Sequence, residues 1–232
     1  MNKIPSLLIL SSVLLAVSCG RTGNVSFPVS LTDEMDSLSY YVGLDLGDYL
    51  VRTNQKLDIR DELVLEKVIA GMKESLEREA GSRSDAHYEW LRKYFSETLP
   101  QKNLHASERF LRRALDAKKD AVRTPSGLVY EILLPGTGPH PDAADLVLIR
   151  YEGRRMDGSL YETTYDMEDP EERPMDTMPK GLQEGLGQIG EGGIIKLWIP
   201  PSLAFGKDGN EYIGPNQALY YYVELVQCNR YE

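Results

Sequence analysis

The chain of 232 residues, 41% hydrophobic and 27% charged, has the length and composition of a soluble protein with one or two domains and a buried core. Its formal net charge of −10 excludes the clustered Lys and Arg that a phosphate backbone demands, so no nucleic-acid partner is expected. Acidity of this size serves solubility.

The N-terminus has its own composition. Met1-Asn2-Lys3 carries one positive charge, and residues 4–17 are apolar apart from Pro5, Ser6, Ser11 and Ser12. The stretch is too short to span a membrane and has the layout of a secretory signal. It ends Ala16-Val17-Ser18-Cys19-Gly20, which resembles the bacterial lipobox. That resemblance implies removal of residues 1–18, lipidation of Cys19 and a bacterial lipid-anchored protein on the periplasmic face or the cell surface. The alternative is a secreted protein with an incidental Cys19. The second cysteine, Cys228, then has no intrachain partner, and stability must come from packing rather than disulfides. Residues 19–29 are polar and glycine-containing, as in a tether.

Helical periodicity begins at Thr32. Met35, Leu38, Val42, Leu46 and Tyr49 recur at three- and four-residue steps, with Ser30 or Thr32 as candidate N-caps. A second stripe is Leu65, Ile69, Met72 and Leu76, with Asp58 or Asp61 before it and Ala80-Gly81-Ser82 ending it. A third carries Tyr88, Leu91 and Phe95 and must break or kink near Pro100. A fourth, from about Ser107 to Ala121, is dense in charge and reads as a solvated connector or as half of a paired interface. Residues 30–122 thus form an all-helical segment with narrow apolar faces, which predicts pairing with a second copy in a homodimer.

From residue 123 the punctuation is that of turns and strands. Leu128–Leu134, Leu146–Tyr151 and Ala218–Val226 read as strands, and Asp157-Gly158 as a hairpin turn. The stretch 192–206 opens on Gly192-Gly193, runs Ile194–Ile199 as a buried strand and stops at Pro200-Pro201. Leu203, Ala204 and Phe205 then stand at one end of the sheet, either as a pocket wall or as a plug of the core. One short helix, Lys180–Ile189, carries Leu182, Leu186 and Ile189 on one face. Antiparallel strands with a single amphipathic helix predict an α+β domain, a curled sheet wrapped on that helix, over residues 123–232.

Six pieces of this region, in order, resemble the FKBP-type peptidyl-prolyl cis-trans isomerases. They are Pro135-Gly136-Thr137-Gly138, Tyr151-Glu152-Gly153, Asp157-Gly158-Ser159-Leu160-Tyr161-Glu162, Gly181-Leu182-Gln183-Glu184-Gly185-Leu186, the run from Ile199 to Gly206, and Tyr222-Val223-Glu224-Leu225. The helical half is similar to the dimerisation segment of the macrophage infectivity potentiator-type subgroup, through Leu38-Ser39-Tyr40-Tyr41-Val42-Gly43 and Ala70-Gly71-Met72. The resemblance implies isomerase activity on proline-containing unfolded or nascent exported polypeptides, without cofactor or metal. It also implies the site. Tyr151, Tyr161, Glu162, Phe205 and Tyr221 fall on catalytic positions, and Met178, Pro179, Leu182 and Ile213 on substrate-binding positions.

Five of these depart from the family pattern. Tyr161 stands where phenylalanine is usual, Glu162 where aspartate is usual and Leu182 where tryptophan is frequent. Phe205 replaces a tyrosine whose hydroxyl donates to the bound peptide, and Pro179 has no N–H to offer a ligand carbonyl. The departures define an alternative, a catalytically weak FKBP-fold chaperone or peptide-binding module using the same groove. The acidic run 166–172 lacks the glycine and spacing of a calcium loop and reads as a solvated loop. His87, His105 and His140 are too scattered to share a metal.

Overall fold

The computed structural model describes residues 30–57, 59, 63–77 and 85–229. The expected signal 1–18, the tether 19–29 with Cys19, the caps Asp58 and Asp61, and the stop at Ala80-Gly81-Ser82 lie outside the described residues. The chain divides into two compact units, one up to Asp45 and one from Leu46 onward.

Helix α1 (Glu34–Leu57) begins in the first unit. Its N-cap is Asp33, not the expected Ser30 or Thr32. The Asp33 carboxylate accepts the Asp36 N–H at 2.8 Å, and Asp36 in turn accepts the Thr32 N–H at 3.1 Å and the Thr32 hydroxyl at 2.6 Å. A carboxylate satisfies the orphan amide and complements the helix dipole together, which a hydroxyl does less well. The expected stripe is present but uncovered among the described residues, from Met35 (64% exposed) to Tyr49 (61%). Helix α2 (Leu65–Glu77) also buries nothing.

Helix α3 (Asp85–Lys93) continues through a π turn, Tyr94–Thr98, into α4 (Leu99–Ala117). The sequence predicted a break or kink near Pro100 and a separate helix from about Ser107; the chain has an irregularity just before Pro100 but stays helical through Ser107. Proline lacks an N–H and crowds the preceding turn, and one wider turn, with the Leu99 N–H on the Tyr94 carbonyl, accommodates it. Helix α4 is not a solvated connector. Its buried face, Leu99, Asn103, Ser107, Leu111 and Ala114, lies on the second unit's sheet, where Leu111 and Ala114 pack with Val129, Trp198 and Ala218.

The sheet has seven antiparallel strands, β1 (Val122–Arg123), β2 (Val129–Leu134), β3 (Leu146–Arg154), β4 (Leu160–Thr163), β5 (Glu171–Pro174), β6 (Ile194–Ile199) and β7 (Leu219–Asn229). Their order is β1-β2-β6-β7-β3-β4, with β5 also pairing β3. Strand β7, last in the chain, is therefore central. Buried and half-buried residues alternate along β3 and most of β7, as expected of strands with one face on the core. The acidic run is the expected loop over 166–170, and only its last two residues enter β5, where Glu171 pairs Ile149 and Glu172 pairs Leu148. Helix α5 (Lys180–Leu186) is seated on β6, and Leu182 and Leu186 enter the core with Leu197 and Ile199. A Cβ on Gly181 would lie 2.3 Å from Ile199 and one on Gly185 2.4 Å from Leu197, so the two glycines set how closely α5 sits on the sheet. As predicted, Pro200 ends β6, and a 3-10 turn, Pro201–Leu203, carries the chain to Phe205.

Candidate active site

The nine residues singled out by sequence converge on one end of the sheet and the start of α5. Tyr151 stands on β3, Tyr161 and Glu162 on β4, and Tyr221 on β7. Met178 and Pro179 lead into α5, and Pro179 starts it by accepting the Leu182 N–H at 2.9 Å and the Gln183 N–H at 3.1 Å. Tyr151, Met178, Leu182, Ile213 and Tyr221 are buried members of one apolar cluster. Tyr161, Leu203, Ala204 and Phe205 pack on it half-exposed. The 203–205 segment is thus a rim with one side on the core and one side open.

Tyr221 is the centre of the wall, 1% exposed, its ring centroid 6.1 Å from that of Tyr151 and 6.1 Å from that of Tyr161. The hydroxyls of Tyr161 and Tyr221 are hydrogen-bonded, and Tyr221 also donates to the Glu162 carboxylate. A phenol has one proton to give, so with Tyr221 committed to Glu162 it is Tyr161 that donates to Tyr221. Burial first, then the neighbouring phenol and Glu162, drives the Tyr161 hydroxyl well above its usual range. For Tyr221 the causes are burial, then Glu162. Both stay protonated at neutral pH.

The sequence reading missed five contributors. Glu171 and Arg173 on β5 flank the Tyr151 hydroxyl, which donates to Glu171 at 2.8 Å and accepts from Arg173 Nη1 at 3.2 Å. Burial, then Glu162, raises the Tyr151 pKa too. The spacing i, i+2 puts Glu171 and Arg173 on one strand face, a signal masked by the surrounding acidity. The Arg155 guanidinium lies 5.5 Å from the Tyr161 ring centroid and donates to the Tyr212 carbonyl at 3.1 Å. Gly153 provides room for the aromatic wall, since a Cβ there would lie 2.9 Å from both Glu162 and Tyr161 and 3.0 Å from Tyr221. On the opposite side Asn210 brackets Ile213. Its side chain accepts the Tyr212 and Ile213 N–H groups, each at 2.8 Å, and its own N–H donates to the Ile213 carbonyl at 2.8 Å.

Such a groove can hold an apolar ring between aromatic walls and orient a neighbouring amide. It has no activated nucleophile. The Cys228 thiol lies 3.5 Å from an Asp145 oxygen, and burial, then Asp145, pushes its pKa up to about 11, so it is inert. Among the described residues no group of His, Cys, Asp or Glu is placed to hold a metal, and no helix is long and apolar enough to cross a membrane.

Residues 138–226 match the family of FKBP-type peptidyl-prolyl cis-trans isomerases, and residues 35–132 match the domain amino terminal to FKBP-type peptidyl-prolyl isomerase. The chain is 30% identical over 230 residues to the peptidyl-prolyl cis-trans isomerase Mip of Coxiella burnetii, covering 96% of this chain and 98% of that one. It is 30% identical over 217 residues to the outer membrane protein MIP of Legionella longbeachae, with 87% and 88% covered. The crystal structure of FkpA from Escherichia coli superposes with a TM-score of 0.53 at 28% identity, covering 87% of this chain and 99% of that one.

Proposed function

Because the chain belongs to the FKBP-type peptidyl-prolyl cis-trans isomerases, we propose that the tyrosine-lined groove beside α5 is where it turns the Xaa-Pro bond. The protein is a peptidyl-prolyl cis-trans isomerase and acts on proline-containing polypeptides. The observation that carries the site is the convergence of Tyr151, Tyr161, Tyr221, Ile213, Leu182 and Phe205 on one apolar cluster without a nucleophile. The barrier to rotation is lost amide resonance, about 18–20 kcal/mol, and a catalyst lowers it by binding the twisted amide more tightly than the planar one. The walls grip the proline ring and remove water from the carbonyl of the residue before it, which weakens the resonance that holds the bond planar. A thousandfold acceleration requires only about 4 kcal/mol of such preference. Glu162, held by Tyr221, fixes the aromatic wall rather than moving a proton.

Two further parts of the reading concern place and assembly. The lipobox-like run ending at Cys19 supports export and anchoring by lipid, as does the outer-membrane name of one relative. The uncovered apolar stripe of α1 supports a homodimer through residues 30–122, with 123–232 as the isomerase domain.

The test is proline-limited refolding of a client protein. Acceleration of the slow phase at substoichiometric protein, abolished by Tyr161→Ala, is the expected result. Suppressed aggregation without acceleration would refute the reading in favour of a pure chaperone.

A further inference from the structure

The groove's two non-strand sides, the segment holding Phe205 and the segment holding Ile213, are tied at Asn210, which brackets Ile213, and again at Asn216. Asn216 donates its N–H to the Gly206 carbonyl at 2.8 Å. It is also the one non-glycine residue with positive φ among those described, at +52°. Asparagine tolerates that region better than most residues, but it still needs holding there. What holds it is helix α4. The Ser107 hydroxyl donates to the Asn216 carbonyl at 2.9 Å and accepts the Ala218 N–H at 2.7 Å. The Asn216 side-chain amide donates to the Pro100 carbonyl at 3.2 Å, and Asn103 donates to the Pro215 carbonyl at 2.8 Å. Ser107 is fully buried, so its bond with the Ala218 N–H is shielded from water.

We propose that Ser107 and Asn216 are positioning residues of the isomerase, through which helix α4 fixes the separation of the Phe205 and Ile213 sides of the groove. The inference rests on the groove being the catalytic site. Its logic is that of a latch. With its carbonyl held by Ser107, Asn216 keeps its left-handed conformation and its N–H stays aimed at Gly206. Without that hold the residue relaxes to negative φ, the N–H turns away from Gly206, and the spacing of the two sides is set by the Asn210 tie alone. A helix outside the isomerase sheet thereby sets the grip on substrate.

The experiment uses the full chain, with Ser107→Ala, Asn216→Ala and Asn216→Gly assayed on a Xaa-Pro peptide and the Ile213 methyl signal followed by NMR. Ser107→Ala and Asn216→Ala should lower kcat/KM by about threefold to tenfold, mainly through KM, and shift the Ile213 methyl signal. Asn216→Gly, which takes positive φ without strain, should restore KM to near the parent value. If Ser107→Ala fails to fold, the contrast between Ala and Gly at 216 decides alone. A lowered urea midpoint with unchanged KM and an unmoved Ile213 signal would make both residues merely structural and overturn the proposal. Tyr161→Ala serves as the control: if it is inactive while the 107 and 216 variants behave as the parent, positioning alone falls. If it is fully active, the groove assignment falls as well.

Discussion

Replacing Gly153 by alanine places a methyl group among three atoms that already surround the position. The new Cβ would lie 2.9 Å from Glu162 Cγ, 2.9 Å from Tyr161 Cε1 and 3.0 Å from Tyr221 Cε1, distances at which something must move. Tyr221 is buried and cannot yield, whereas Tyr161 is half-exposed and can swing outward, breaking its hydroxyl bond to Tyr221. Overpacking costs about 1–3 kcal/mol, and the lost hydrogen bond about 0.5–1.5 kcal/mol. The backbone at 153 is not in the left-handed region, so alanine recovers about 0.4–1 kcal/mol through the unfolded state. The net expectation is a destabilisation of about 1–3 kcal/mol, read as a lower urea midpoint at unchanged m. Activity in proline-limited refolding should fall about tenfold or more, because the displaced ring is a wall of the groove. Removing Tyr161 relieves one of the three close contacts and frees Glu162 and Tyr221 to shift, so Gly153→Ala should cost less stability in a Tyr161→Ala background. Equal costs of Gly153→Ala in the two backgrounds would refute the packing argument.

Phe205→Tyr adds a hydroxyl at the rim for a bond worth roughly 0.5–1.5 kcal/mol to bound peptide; kcat/KM on a Xaa-Pro peptide should rise about twofold to tenfold. Cys19→Ser should abolish acylation, and recovery of that variant in the membrane fraction with an acylated N-terminus would sink the lipid-anchor reading. Val42→Asp puts a charge on the uncovered stripe of α1 and should convert a dimer to a monomer in sedimentation at micromolar concentration, with the circular dichroism of the sheet domain retained. Tyr151, Tyr161 and Tyr221 all have raised pKa values in the fold. The native state therefore keeps protons that the unfolded chain releases above about pH 10. Their stabilising contribution is complete below that pH and declines above it. Urea melts of Tyr221→Phe should show a shallower decline than the parent.

Local punctuation made much of the fold legible. The apolar run 194–199 between Gly192-Gly193 and Pro200-Pro201 specifies β6, and Asp157-Gly158 specifies the β3–β4 hairpin, where Gly158 takes φ +83°. The aromatic wall was equally legible, because Tyr151, Tyr161 and Tyr221 sit in pieces that resemble the family. What stayed hidden depends on partners remote in sequence. Asn103 and Ser107 have the polarity of solvent-facing helix positions, yet they are buried because their acceptors and donors lie at 215–218. Glu171 and Arg173 stand at the end of a run whose charge argues for a loop, and only pairing with β3 turns that end into a strand. Pro100 signals a helix break, and nothing local tells that a single wider turn suffices.

The central place of β7 has a consequence for how the chain comes off the ribosome. Strands β6 and β3, which flank β7, are complete before it is made, and they pair with it rather than with each other. The backbone groups that they will share with β7 wait unpaired until residues 219–229 emerge, and α4 waits likewise for Pro215, Asn216 and Ala218. Pairings this distant form late and slowly. Until residues 219–229 are synthesised, the nascent protein presents two open strand edges, the same kind of surface through which partly made chains aggregate. An isomerase of this topology is thus itself a chain in need of shelter during its synthesis.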